Sequence, residues 1–247
     1  MRIKREALIR HLQRIACGGQ ITDAVFTGAF KTDAMSPDHL LLVLAPGLPK
    51  TKALWKKGDS AGIPGLDRLI KALGVISGTG TESVNVEIRM ENHRLVLDEE
   101  HRGLLRLITA APKTIAAQVD AEVLKTLISK LPKLEANSIP LTRPLVEGIR
   151  ATFSLFKAEE VELFVGPQGG KIQVGNSNAD MAEFQSAELK APTAYTLLFG
   201  EHFVSILGIV SNFDSAALYL TGPDKLTMVD DGGYRYILSP RSKGADA

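Results

Sequence analysis

Cysteine occurs once, at Cys17, in a chain of 247 residues. A single thiol excludes an internal disulfide framework and a multi-cysteine zinc site, and it fits a reducing cytoplasm. No apolar run approaches the roughly 20 residues that a membrane span needs. The opening Met1-Arg2-Ile3-Lys4-Arg5 passes straight into an amphipathic segment with Glu6, His11 and Gln13, so it does not read as a signal peptide. His11, His39, His93, His101 and His202 lack the spacing of metal ligands. The sequence therefore calls for no cofactor, no metal and no catalytic residue.

Four short stretches look like chemistry and fail on context. Gly166-Pro167-Gln168-Gly169-Gly170-Lys171 lacks the spacing of a phosphate loop, has Ile172 where the hydroxyl residue belongs, and joins two strand patterns. It reads as a hairpin turn. Gly78-Thr79-Gly80-Thr81 follows a helix pattern and precedes a strand pattern, so it is a connection rather than a dinucleotide fingerprint. Asp98-Glu99-Glu100 and Asp230-Asp231 fall at turns, where acids serve solubility and turn formation rather than a cation.

What the chain does have is apolar content and order. Hydrophobic residues make up 45%, enough for one large core or for two domains of about 120 residues each. The net charge of +1 conceals an uneven spread. Residues 1–76 carry twelve Lys/Arg against six Asp/Glu, and the remainder is acidic on balance.

A repeat runs along the chain. Residues 84–88, 94–98 and 103–108 alternate apolar and polar side chains between turns, as do 161–165, 171–174 and 181–184, and again 217–220, 225–229 and 234–238. Alternation at period two with Gly, Pro, Asn and Asp at the bends predicts three half-buried antiparallel meanders. A fainter fourth copy lies in 24–30 and 40–44, followed by a loop over Lys50 to Gly62.

A helix-period segment precedes each meander. Arg5–Cys17 carries Leu8, Leu12 and Ile15 on one face; Leu66–Leu73 carries Leu66, Leu69, Ile70 and Leu73; Leu141–Phe156 carries Leu145, Ile149, Phe153 and Phe156; Glu201–Asn212 carries Phe203, Ile206, Leu207 and Val210. Helix followed by hairpin-linked strands, four times over, predicts an α+β fold with helices packed on antiparallel sheet. Four units pair into two similar domains, 1–113 and 131–247, with a connector over 114–130 that holds a short helix from Asp120 to Lys130.

The helix faces opposite the apolar stripes follow from a rotation of about 100° per residue. They carry Arg10 and Arg14 on the first helix, with Gln13 and Cys17 nearby, Arg68 and Lys71 on the second, and Arg143 and Arg150 on the third, beside Glu147 and Ser154. The fourth shows Ser205, Gly208 and Asn212 flanked by His202, and no cation. Cations without interleaved aromatics or base-reading amides suit sequence-independent attraction to phosphates.

The repeat, the two-domain length and the closing Gly232-Gly233-Tyr234-Arg235-Tyr236-Ile237-Leu238-Ser239-Pro240 resemble the DNA sliding clamps, the processivity factors of replicative DNA polymerases. Met1–Ile9 and Gly65–Leu73 are similar to the tailed-phage type, which is related in fold to proliferating cell nuclear antigen. The resemblance implies a non-catalytic homotrimer of two-domain subunits, closed into a ring with helices lining the hole. It implies double-stranded DNA bound without sequence preference, edge strands pairing between subunits, a clamp loader, and a DNA polymerase tethered through a short peptide. Leu238 and Pro240 are the implied pocket residues. The compartment would be the cytoplasm, that of the host if the protein is phage-encoded. Two other classes stay open: a structural or assembly oligomer of a phage that does not hold DNA, and a small-molecule enzyme whose site is assembled only by folding.

Overall fold

The computed structural model describes residues 2–48, 54, 59–76, 84–92, 94–99, 103–115, 119–134, 138–175, 180–187, 190–220 and 227–242. Gly78–Thr81, His93, Glu100, His101 and the expected turn at Gly222–Asp224 lie outside them. In chain order the elements are β1 (Arg2–Lys4), α1 (Arg5–Ala16), β2 (Ala24–Thr27), β3 (Thr32–Met35), β4 (Leu41–Ala45), β5 (Ser60–Ile63), α2 (Leu66–Ile76), β6 (Asn85–Glu91), β7 (Arg94–Glu99) and β8 (Gly103–Ile108). There follow α3 (Ala121–Leu134), β9 (Ser138–Pro140), α4 (Arg143–Leu155), β10 (Val161–Gly166), β11 (Gly169–Gly175), β12 (Met181–Ser186), β13 (Tyr195–Phe199), α5 (Glu201–Ile209), β14 (Ala217–Leu220), β15 (Thr227–Asp231), β16 (Tyr234–Leu238) and β17 (Arg241–Ser242).

The chain divides into two compact units, Met1–Val119 and Asp120–Ala247. Asp120 opens the second as the N-cap of α3, its carboxylate accepting the backbone N–H groups of Glu122 (2.8 Å) and Val123 (3.2 Å).

The first unit holds an antiparallel sheet in the order β1-β6-β7-β8, with β2 paired to β5 and β3 to β4. The second holds β12-β11-β10-β13-β17, and a run of β9, β14, β15 and β16. These strand pairings are antiparallel throughout, which is the predicted α+β arrangement.

α1, α2, α4 and α5 are each entered directly from a short strand, so the repeating element is strand, helix and three strands. Ser60–Ile63 is one of these strands, which corrects the expectation of a loop as far as Gly62. At three to five residues they are too short to show a period. The opening strand of each repeat does not join its own meander. β1 pairs with β6 and β5 with β2; β9 pairs with β14 and β13 with β10. Each unit is thus two repeats that exchange their first strands.

Burial follows the predicted stripes. Leu8, Leu12 and Ile15 of α1 and Leu66, Leu69 and Leu73 of α2 are buried, as are Phe203, Ile206 and Leu207 of α5. On α4 the buried positions are Val146 and Ile149, while Leu145, Phe153 and Phe156 are half-buried. Each fully buried Leu, Ile or Phe contributes about 1.5–3 kcal/mol of transfer free energy. Helices pack in pairs, α1 beside α2 and α4 beside α5. On the sheet side Gly148 of α4 admits the Phe184 ring of β12, which a Cβ would meet at 2.7 Å.

Three polar side chains depart from their expected places. Cys17 is buried, not on the free face: it takes a left-handed conformation (φ 47°) as the C-cap of α1, which turns its side chain inward. Glu99 is buried within β7 and bonds the Arg5 guanidinium at 3.1 Å. Asp231 is fully buried and accepts the backbone N–H groups of Ser211 (3.1 Å) and Asn212 (3.0 Å) just beyond α5. Neither acid serves solubility, because each partner lies at least 19 residues away in sequence and only folding reveals it.

Candidate nucleic-acid interface

The interface is built from the helix faces that the sheets leave uncovered. On α1 the stripe of Leu8, Leu12 and Ile15 turns Arg10 and Gln13 to solvent. Arg14 is half-buried, its Nε within the protein, so it presents only part of its guanidinium. Its charge, after burial itself, helps hold the neighbouring His11 imidazole down at about 4. His11 Nε2 donates to the Phe30 carbonyl at 2.8 Å. That bond fixes a residue whose backbone is left-handed, φ 63° at Phe30.

Arg68 and Lys71 are exposed on α2, opposite buried Leu66, Leu69 and Leu73. The start of α2 is tied to the segment following α1: Gly65 N–H donates to the Asp23 carboxylate at 2.7 Å and Leu66 N–H to the Thr22 carbonyl at 2.7 Å. Side by side, α1 and α2 thereby bring Arg10, part of Arg14, Arg68 and Lys71 into one helical layer. Glu6 and Asp67 are exposed on the same helices and reduce its net positive charge.

In the second unit Arg143 and Arg150 are exposed on α4. Arg143 pairs with Glu147 at 3.6 Å and lies over the Phe213 ring at 4.8 Å. Both ions of that pair are mostly in water, so it holds Arg143 only weakly. Arg150 reaches across to α5, where its Nη2 lies 3.5 Å from the position a Cβ on Gly208 would occupy. The helix that has no cation of its own therefore receives one from its neighbour. The signal for this in the sequence was a bare glycine at an exposed helix position, legible only once α4 and α5 were known to adjoin.

Leu238 and Pro240 are buried, at the end of β16 and in the short crossing to β17. That crossing carries the chain from the β14-β15-β16 run to β13, which β17 pairs through Leu197 and Leu198. Gly166–Lys171 forms a tight hairpin between β10 and β11, with Gly166 opposite Gly169. Among the described residues no three His, Cys, Asp or Glu side chains come together as a metal site, and no helix is long and apolar enough to cross a membrane.

No protein-family model matches the sequence, and no curated protein matches it. Solved structures do match in shape. The chain is similar to the PCNA of A. fulgidus, in a structure with the C-terminal region of FEN-1 bound, at TM-score 0.66 and 14% identity over 98% of both chains. Its likeness to the PCNA of Thermococcus kodakaraensis has TM-score 0.66 and 12% identity, covering 97% of this chain and 98% of that one. Against the DNA polymerase III subunit beta of Pseudomonas aeruginosa the TM-score is 0.65 at 12% identity, with all of this chain spanning 66% of that one.

Proposed function

We propose, on the premise of the sliding-clamp fold, that this protein is a non-catalytic DNA polymerase processivity factor that closes round duplex DNA as a homotrimer. The observation that carries the reading is the helical layer of each unit, which turns Arg10, Arg68, Lys71, Arg143 and Arg150 outward from the sheets. Arg14 contributes from a half-buried position. Phosphates are the one feature of duplex DNA that such a layer meets whatever the sequence, and attraction to them leaves the ring free to slide. A loader opens the ring, and a replicative polymerase is tethered by a peptide near β16 and β17, with Leu238 and Pro240 as the floor of its pocket. The tailed-phage assignment rests on Met1–Ile9 and Gly65–Leu73, and places the protein in the host cytoplasm.

Ring closure needs an edge at each end of the subunit. Two described edges suit this: β8 ends the first unit's four-stranded sheet and β12 the second unit's five-stranded sheet, whose opposite ends are β1 and β17. Pairing β8 of one copy with β12 of the next is head-to-tail, and it removes both exposed edges when the rotation closes.

Retention on DNA tests the reading. With a loader and ATP, the protein should persist on nicked circular DNA and run off linear DNA. Equal release from both defeats the proposal, and a stable oligomer without retention favours an assembly role instead. Charge reversal at Arg10, Arg68, Lys71 and Arg150 should lower DNA association while the trimer persists.

A further inference from the structure

Arg143 stands where helix stability alone would not put it. It opens α4, the end at which a helix dipole disfavours a cation, and no acid occupies the first turn to offset it. Its two contacts differ in kind. Glu147, one turn further on, meets the guanidinium at 3.6 Å and takes up both charge and N–H donors. Phe213, in the turn after α5, lies under the guanidinium with its ring centre at 4.8 Å and takes up neither. A ring face attracts a cation through its quadrupole and leaves the N–H edge of the guanidinium open. With the ring beneath it, the Arg143 side chain is still 66% exposed.

The backbone fixes the ring in that place. Phe213 is half-buried between exposed Asn212 and Asp214. Buried Asp231 accepts the N–H groups of Ser211 and Asn212, and the Ser215 and Ala216 N–H groups donate to the Asn212 carbonyl at 3.1 and 2.8 Å. Leu141, just ahead of α4, donates its N–H to the Ala216 carbonyl at 2.8 Å. The entry to α4 and the turn that carries Phe213 are thereby one cross-tied corner, and ring and guanidinium meet across it.

Resting on the DNA reading above, we infer that Phe213 is a positioning residue: it holds the Arg143 guanidinium with its N–H edge toward a DNA phosphate, and Glu147 is the anion that the phosphate displaces. A long side chain loses rotamer freedom when it grips a phosphate, and stacking on the ring takes part of that loss before DNA arrives. Glu147 remains within reach and takes the guanidinium back when the phosphate moves on. Each grip is therefore short, as a sliding ring requires.

Equilibrium binding of a short fluorescent duplex, measured across a range of salt, tests the inference. Arg143→Ala should weaken binding and lower the slope of log affinity against log salt by about 0.9. Phe213→Leu and Phe213→Met keep apolar bulk without a ring face, and each should weaken binding about two- to fivefold, as loss of an exposed cation–π contact does. Phe213→Tyr keeps the face and should bind as the parent does. In an Arg143→Ala background neither Phe213→Leu nor Phe213→Met should have a further effect, an outcome that a purely structural ring would not give. Glu147→Gln should tighten binding only while Arg143 is present. Equal weakening with and without Arg143, or none in folded Phe213→Leu and Phe213→Met, overturns the positioning role and leaves Arg143 at the interface. Tightening by Glu147→Gln that persists without Arg143 overturns the exchange. Binding that Arg143→Ala does not alter overturns the inference and spares the other cations, whereas a parent protein that binds no duplex at low salt overturns the DNA reading with it.

Discussion

The guanidinium of Arg150 on α4 lies across the bare backbone of Gly208 on α5, 3.5 Å from where a Cβ would stand. The space is ordinary contact distance, so Gly208→Ala should fit and should gain up to about 1 kcal/mol from helix propensity, read as a rise in Tm. Gly208→Glu should instead set a carboxylate beside Arg150. Neutralising one phosphate contact lowers the slope of log affinity against log salt by about 0.9. An unchanged slope in Gly208→Glu would remove Arg150 from the interface.

The buried pair of Arg5 and Glu99 makes a different expectation. Glu99 Oε2 is buried without a hydrogen-bond partner, so the pair is incompletely satisfied. Glu99→Ala leaves the Arg5 charge inside the protein, at a cost of about 3–5 kcal/mol. The double change Arg5→Met with Glu99→Leu should recover most of that stability in urea unfolding. A double variant as unstable as the single one would show that the pair, not the unpaired charge, carries the effect.

His11 predicts a pH dependence of stability. Burial lowers its folded pKa from 6.5 to about 4, so between these values the unfolded chain binds a proton that the folded chain does not. Stability from this group is whole above pH 6.5, falls as pH drops toward 4, and is level below it. The loss is about 3 kcal/mol. His11→Gln keeps a donor for the Phe30 carbonyl and does not titrate. Its stability should therefore vary less than that of the parent over this window; parallel curves would contradict the assignment.

Asp231 closes the end of α5 with two hydrogen bonds from backbone N–H groups. Asp231→Ala should cost about 1.5–3 kcal/mol, since bonds to a charged acceptor are lost and two donors are left behind. Asp230 is half-buried, meets the more exposed Arg235 at 3.1 Å and accepts the Gly233 N–H at 3.3 Å, so Asp230→Ala should cost about 1 kcal/mol. Equal losses for the two neighbours would contradict this division.

Cys17 gives a last check. Burial pushes its thiol up to about 12, so it stays protonated and enclosed at neutral pH. Labelling by a thiol reagent should proceed at the rate of unfolding. Rapid labelling of the native protein would place Cys17 on the surface that the sequence alone suggested.

Much of the architecture was legible because it is local. Alternation marked the three long meanders, and Leu8, Leu12 and Ile15 or Phe203, Ile206 and Leu207 marked the buried helix faces. Those periods follow from backbone geometry, and so did the outward turn of Arg10, Arg68, Lys71, Arg143 and Arg150. Leu238 and Pro240 as pocket residues follow from the resemblance and not from any local pattern, and the structure buries both.

By itself, then, the sequence determined the order of helices and meanders and which side of each helix meets water, since periodicity is a property of neighbouring residues. Tertiary structure alone decided that the opening strands cross between repeats, that Glu99 and Asp231 lie inside, and that Arg150 serves the face of α5. It also placed β8 and β12 at sheet edges, opposite β1 and β17. Each of these joins residues far apart along the chain, where the free energy of burial and pairing, not the local backbone period, selects the partner.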